Sequence, residues 1–427
     1  MTPQSNFMIA ASILPDREGA LQALLETMNF RPGVVDPQNV LFPFARFEQL
    51  HVARFVILKD ETLGDLPPED ALPNAPVRLA FLGDCDGKAE GMLAQFVAHA
   101  PDGLRQIFSH CEDFSSDIDL LEWMRRHSLQ PAAQYVNWVG RTVAQIREEA
   151  ALHAALRSYL ARDPTAFDGQ RPSKLRDWLI TVHQVNGPTM TPPERTPFGW
   201  CVRHVLNRVG VLLALLLLSP FLLIYAPVFF WILRRREITD PVITTTPSPA
   251  HIDALSHIED HDVTNQFSAF GTVKPGRFRR WTLVFIFWLL DFSTHQIYTR
   301  GRLARVNTIL FARWVFTDDK RRLFFASNYD GSLDSYMDDF INKVAFGVNL
   351  VFGNGLGFPR TKFLLFCGIK NELPYKRYLR RHQIPTQVWY KAYLGLTVAD
   401  LARNTAIREG LEGRMTDDQA RRWLALI

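Results

Sequence analysis

Cysteine is scarce. The chain holds four in 427 residues (Cys85, Cys111, Cys201 and Cys367), widely scattered and with no CxxC pair. That excludes a disulfide-stapled scaffold and a zinc ribbon, and it fits the reduced thiols of a cytoplasmic protein. One-sided charge is missing as well. The balance of 48 Lys+Arg against 44 Asp+Glu leaves a net +4, which argues against a dedicated nucleic-acid binder. Neither GxSxG nor P-loop spacing occurs, so two common nucleophile and phosphate motifs are absent. The start, MTPQSNFMIAASILPDREG, has no cationic n-region and no long apolar h-region, which predicts no signal peptide. What is abundant is apolar and aromatic: 47% apolar residues, with 31 Phe and 10 Trp, against 22% charged. A disordered or collagen-like chain is ruled out.

One uncharged stretch stands out. Val209 to Leu233 reads VGVLLALLLLSPFLLIYAPVFFWIL, longer than the ~20 residues that span a bilayer as a helix. Pro220 and Pro227 interrupt it, so the pattern predicts a break near Ser219-Pro220. Cations flank it on both sides, with Arg203, His204 and Arg208 before and Arg234, Arg235 and Arg236 after. The positive-inside bias then places both ends on the cytoplasmic face. A re-entrant hairpin satisfies both ends and a single span only one, so the reading is a monotopic hairpin with a true span as the alternative. A second stretch, Trp281 to Leu290 (WTLVFIFWLL), is too short to span. It reads either as a core helix or as an interfacial helix with snorkelling arginines.

The two halves resemble each other. NFMIAASILP at the start matches NQFSAFGTVKP after the apolar stretch; LHVARFVILKD (Leu50 to Asp60) matches ILFARWVFTDD (Ile309 to Asp319); VRLAFLGDCDGKAEGMLAQF (Val77 to Phe96) matches RRLFFASNYDGSLDSYMDDF (Arg321 to Phe340). Each half reads strand, helix, strand, strand, helix, most of a ferredoxin-like unit. Final strands are expected near Arg105 to Phe108 and Val348 to Phe352. The expected fold is α+β: two tandem ferredoxin-like units packed as a pseudo-dimeric α+β barrel, with a helical insert and a membrane-embedded hydrophobic segment. The boundaries are 1–114 for the first unit, 115–200 for the insert, 201–236 for the hairpin or span, 237–262 for a linker, 263–366 for the second unit and 367–427 for a C-terminal helical tail. Within the insert, the run from Ala132 to Asp163 reads as helix on its apolar spacing. Pro/Thr-rich linkers, Pro188 to Pro197 and Ile238 to His251, bracket the apolar stretch.

Several residues invite chemistry. Asp86-Gly87 and Asp330-Gly331 stand at strand-to-helix turns, where Asp either caps a helix or works as an acid/base in a cleft. Arg54 and Arg313 lie inside apolar strands, where a charge needs an opposite charge, a polar cavity or an anionic ligand. His257 and His261 are four apart, so on a helix they share a face. His261 is a candidate metal ligand or acid/base; two histidines make an incomplete metal set. His51, inside a strand, reads as a satisfied core histidine. Tyr329 sits among Asp330, Asp334, Asp338 and Asp339, an acidic and solvated helix face. Arg360 and Lys362 in GFPRTKF read as anion contacts.

The second half, with NQFSAFGTVKPGRFR, FARW, FASNYDGSLDSYMDDF, GFPRT and VWYKAYLGLTVADL, resembles a bacterial family labelled peroxidase-like, over about Glu259 to Arg408. The resemblance implies the dimeric α+β barrel fold of dye-decolourising peroxidases, and Gly83-Asp84-Cys85-Asp86-Gly87 matches their GxxDG string. It implies haem as cofactor, Asp86 as acid/base with Asp330 as its counterpart, and Arg54 or Arg313 as electrostatic partner. Tyr329 and Arg360 would then face the cofactor, with His261, His295 and His382 competing for the iron. The expected function is a membrane-associated oxidoreductase of haem-peroxidase type acting on a lipophilic substrate. The first alternative is a non-haem lipid-binding or lipid-modifying protein whose barrel cavity takes an acyl chain while Arg313 or Arg360 meets the headgroup. The second is a membrane scaffold or assembly protein. The expected partners are a membrane lipid or lipophilic small molecule, with homo-oligomer formation allowed and no nucleic acid. The expected location is the cytoplasmic face of the bacterial inner membrane.

Overall fold

A computed structural model describes residues 2–72, 75–162, 169–192 and 194–427. Asp163, at the end of the expected helical run, and Pro193, in the first linker, lie outside them. The architecture is mixed α+β. Eight strands carry it: β1 (Gln4–Ser12), β2 (Leu50–Leu58), β3 (Arg78–Asp86), β4 (Ala133–Val136), β5 (Thr264–Thr272), β6 (Ile309–Thr317), β7 (Arg322–Asp330) and β8 (Thr386–Lys391). They form two four-stranded antiparallel sheets, in the orders β1-β3-β2-β8 and β4-β6-β7-β5.

The repeat in the sequence is a repeat in register. β1 pairs with β3 from Gln4↔Asp86 to Ser12↔Arg78, and β5 pairs with β7 from Thr264↔Asp330 to Thr272↔Arg322. Leu50 faces Cys85 as Ile309 faces Tyr329. The fourth strand of each sheet comes from the other half. β8 pairs with β2, setting Trp389 opposite Arg54, and β4 pairs with β6, setting Gln134 opposite Arg313. The expected final strands are instead helical, within Pro101–Phe108 and Ala345–Phe352. The run expected to be helix from Ala132 begins with β4, because its Tyr and Val residues take a sheet edge offered by the distant half.

Strand alternation sends one set of side chains outward and the other inward. Phe7, Ile9 and Phe81 pack outward under α1 (Glu18–Glu26) and α2 (Ala89–His99). After α2 come α3 (Val143–Arg162), the apolar helix α4 (Phe198–Thr239), α5 (Arg277–Gln296), α6 (Leu333–Lys343), α7 (Glu372–His382) and α8 (Val398–Glu409). Leu283, Ile286 and Phe287 of α5 cover the outer side of the second sheet together with Leu333, Met337 and Phe340 of α6. Inward-facing Met8, Ala10, Val56 and Leu82 meet Phe270, Val315, Phe324 and Ala326 in one cluster between the sheets.

Among the described residues α4 is the one helix long and apolar enough to cross a membrane. Its 42 residues amount to ~63 Å at 1.5 Å per residue. The expected break at Ser219-Pro220 does not occur. Pro220 frees the carbonyl of Leu216, and the Ser219 hydroxyl donates to that carbonyl at 2.7 Å, the local repair that lets an apolar helix carry a proline. The hairpin is therefore corrected to one continuous helix. It runs antiparallel to α5 and touches it near both ends. Arg208 donates to Gln296 at 2.9 Å, and Gln296 donates to the His204 carbonyl at 3.2 Å. At the other end Phe229 meets Phe278 at 5.3 Å between centroids. Glu237, 2% exposed, accepts from the Thr361 hydroxyl and from the amides of Phe363 and Leu364. Between these anchors Leu217, Phe221, Leu223 and Ile224 are each at least 70% exposed. Trp281 on α5 is exposed too.

Candidate functional site

The two strand arginines clamp the halves together. Arg54 donates to the carbonyls of Phe267 and Ser327, both at 2.9 Å, and to the Ser268 hydroxyl at 3.1 Å. Arg313 donates to the carbonyls of Phe7 at 2.8 Å and Gly83 at 2.9 Å, and pairs with Asp84 at 2.5 Å. Phe267 and Ser327 occupy in the second sheet the register places of Phe7 and Gly83 in the first, so each arginine reads the same two carbonyls of the opposite half. Both are 4% exposed. Burial, helped by the charge of Arg313, pushes the Arg54 guanidinium down to about 9. Of the partners expected for a charge inside an apolar strand, Arg313 finds an opposite charge, and the other donors of both arginines serve the opposite sheet.

The two Asp-Gly turns are matched carboxylate centres. Gly87 (φ 77°) and Gly331 (φ 83°) take a left-handed backbone that favours glycine. Asp86 accepts the Val143 amide at 2.9 Å, at the start of α3; Asp330 accepts the Val398 amide at 2.6 Å, at the start of α8. Each carboxylate thus caps a helix, as an anion at a helix N-terminus should. The helix capped follows the exchanged strand, not the Asp-Gly turn itself. WVGRTVAQI (138–146) and YLGLTVADL (393–401) lead into the two capped helices. This was the signal by which the sequence could have revealed the exchanged arms.

The centres then diverge. The second oxygen of Asp86 lies 3.0 Å from Nε2 of His51, whose Nδ1 lies 3.2 Å from the Tyr393 hydroxyl. His51 is therefore a satisfied core histidine, 1% exposed, with Asp86 as its partner. The second oxygen of Asp330 accepts from the Thr264 hydroxyl at 2.6 Å. Burial raises the Asp330 carboxyl above its ordinary value and raises the Tyr393 phenol well above its own. Beside the first centre, Arg141 is 2% exposed. Its guanidinium lies on the face of Trp138 at 3.9 Å and has no hydrogen-bond partner among the described residues. Burial pushes it down to about 10. Leu396 holds the corresponding place in the second arm.

The remaining candidates are dispersed. His261 is exposed, its Nε2 2.9 Å from the His257 carbonyl. Tyr329 is buried, stacked on Tyr336 at 4.5 Å, with its hydroxyl 3.4 Å from Asp260. It lies in β7, inside the fold and not on the solvated face of α6. His295 is held by the Asp291 carbonyl at 2.8 Å, and His382 by the Tyr378 carbonyl at 2.9 Å. Among the described residues no cluster of three His, Cys, Asp or Glu is placed to hold a metal ion. These residues do not fit a haem site. Both oxygens of Asp86 are engaged, the arginines bond the opposite sheet, and His261 is on the surface.

Among the named residues, Arg360 and His382 line a cavity. A recess of about 230 Å³ lies just beyond the end of α4. Its walls are the chain leaving α4, the turn ending in Arg360, and α7, which contributes Arg377 and Arg381. Arg360 donates to the Asp240 carbonyl at 2.9 Å and Arg381 pairs with Asp65 at 2.5 Å. Arg377 and Arg381 were missed from sequence, although their i,i+4 spacing sets them on one helix face. No protein-family model, curated protein or solved structure matches the chain.

Proposed function

We propose that this protein rests on one face of a membrane and acts there as a non-haem lipid-binding protein, with α4 lying lengthwise in the bilayer surface. The observation that carries the reading is the double anchorage of α4. Both ends of its apolar run are tied to the two ends of one helix, α5, whose other face is covered by the second sheet. A perpendicular placement would drag α5, with Arg279, Arg280, Asp291 and His295, and the sheet behind it into hydrocarbon, where each charge is costly. An in-plane helix keeps the exposed leucines and phenylalanines in the acyl boundary. The cations at both ends favour the cytoplasmic face. On the same reading the two sheets are copies of one ferredoxin-like unit, packed as a pseudo-dimeric barrel with exchanged arms.

The native cysteines supply the test. Cys201 precedes the apolar run and Cys367 follows it, and both are exposed. Cys85 and Cys111 are buried, and burial pushes both thiols up to about 12, so they stay silent. A membrane-impermeant maleimide should label Cys201 and Cys367 from the same side, in inverted vesicles and not in right-side-out ones. A Lys174→Cys reporter ahead of α4, in a background lacking Cys201, should follow the same pattern. Labelling of the two ends from opposite sides would overturn the reading.

A further inference from the structure

We propose that the recess beyond α4 binds the phosphate of an anionic lipid headgroup, an inference that rests on the membrane placement argued above. Three guanidinium groups, Arg360, Arg377 and Arg381, line it against one carboxylate, Asp65, leaving two positive charges uncompensated. Arg381 is fixed by Asp65 and Arg360 by the Asp240 carbonyl. Each guanidinium carries five N–H donors in a planar fork, so donors remain for a phosphate, the anion whose geometry that fork matches. Arg377 is exposed and enters no ion pair among the described residues. His382 also lines the recess, and burial lowers its pKa. The selectivity therefore rests on the arginines.

Position identifies the source of the phosphate. The wall from Pro241 to Thr245 is the chain that emerges from α4. The apolar run ends at Leu233 and the helix at Thr239, ~9 Å further along the axis. With α4 in the bilayer surface the recess opens at headgroup depth, where each arginine near an anionic leaflet strengthens binding about fivefold. The cavity that shares Tyr378 and His382 with the recess, between the second sheet and α7, measures about 30 Å³, room for about one water. The proposed site thus recognises the headgroup and leaves the chains in the bilayer.

The test compares the wild type with Arg377→Glu and Arg360→Gln, each purified in neutral detergent and returned to vesicles of phosphatidylcholine with or without phosphatidylglycerol. The wild type should retain phosphatidylglycerol in native mass spectrometry. Arg377→Glu should lower that retention about 25-fold, from the loss of one favourable charge and the gain of a repulsive one, and Arg360→Gln by about fivefold. Flotation on phosphatidylcholine alone should be the same for all three proteins. Equal retention by both variants would overturn the headgroup site while leaving the attachment intact. Loss of flotation by the wild type on any vesicle would instead sink the attachment reading. Inorganic phosphate is the remaining arm: if it displaces phosphatidylglycerol at equal concentration, the site serves free phosphate and the lipid assignment falls.

Discussion

The Asp86 and Asp330 centres are one frame filled in two ways. Backbone contacts repeat around both: the Asp86 amide bonds the Gln49 carbonyl as the Asp330 amide bonds that of Thr308, and the Gly87 amide bonds Pro3 as that of Gly331 bonds Val263. Each carboxylate caps the first turn of an arm helix. Yet the first centre holds His51, Tyr393 and Arg141, where the second holds Leu310 and Leu396. The two backbones match because register and caps require it. The side chains beyond that requirement differ, and the first centre holds a histidine and an arginine where the second holds leucines. The difference teaches that what the two Asp-Gly turns share is the cap.

The largest expected effect comes from breaking the clamp unequally. Arg313→Met strands Asp84 as an uncompensated buried charge, so denaturation should show a loss of about 3–5 kcal/mol. Arg54→Met leaves only carbonyls and a hydroxyl without donors and should cost about 2–3 kcal/mol. Equal losses would mean that the ion pair with Asp84 adds nothing to the clamp. Next, His51→Leu makes the first centre like the second. It leaves one oxygen of Asp86 and the Tyr393 hydroxyl unpaired, with an expected cost of about 1–2 kcal/mol in thermal unfolding followed by near-ultraviolet circular dichroism. An unchanged midpoint would show the histidine to be idle.

Two smaller effects separate the carboxylates by pH. Asp318 joins the halves through Arg78 at 2.6 Å and Arg322 at 2.6 Å. Burial opposes its ionisation, but the bonds from Arg78 and Arg322 outweigh burial and hold it well below 3.8. The bridge's contribution is therefore present above pH ~4 and disappears as pH falls through the lowered value. Asp318→Asn should cost about 1 kcal/mol at neutral pH in this half-buried pair and nothing once the wild-type carboxyl is protonated. Asparagine suits the positive φ of 51° there. Asp330 has the opposite sign. Its raised value means that the native state holds the proton more tightly than the unfolded chain. Its contribution is fully present below pH ~4 and is lost as pH rises through the raised value. Asp330→Asn should flatten that slope and change neutral stability by only about 0.5 kcal/mol. A steeper slope in the variant would reverse the assignment.

The core strands were legible because burial on both faces writes long apolar runs, and LHVARFVIL and ILFARWVFT are both strands, β2 and β6, as read. The repeat was legible because Ala-Arg-aromatic and Asp-Gly recur at matching register places. β4 and β8 were not, since a short strand acquires its pairing from a partner over a hundred residues away and carries little periodicity of its own. Arg54 and Arg313 were correctly singled out as charges needing partners. Apart from Asp84 and the Ser268 hydroxyl, their partners turned out to be carbonyls, which every residue supplies and which no side-chain pattern marks. Arg377 and Arg381 escaped notice because KRYLRRH reads as an ordinary solvated face until the turn ending in Arg360 is folded beside it.

By itself, the order of residues determined local matters: where the chain extends, where glycine permits a turn, which stretch is too greasy for water, and that one unit occurs twice. These depend on neighbours within a few positions, through side-chain alternation, turn geometry and apolar area. Tertiary structure alone decided that the arms are exchanged, that the strand arginines bond the opposite sheet, that Pro220 is bridged within an unbroken helix, and that α4 is anchored at both ends of α5. Each of those outcomes requires groups remote in sequence to satisfy one another's hydrogen bonds, charge or exposed surface, and that satisfaction exists only after the chain has closed.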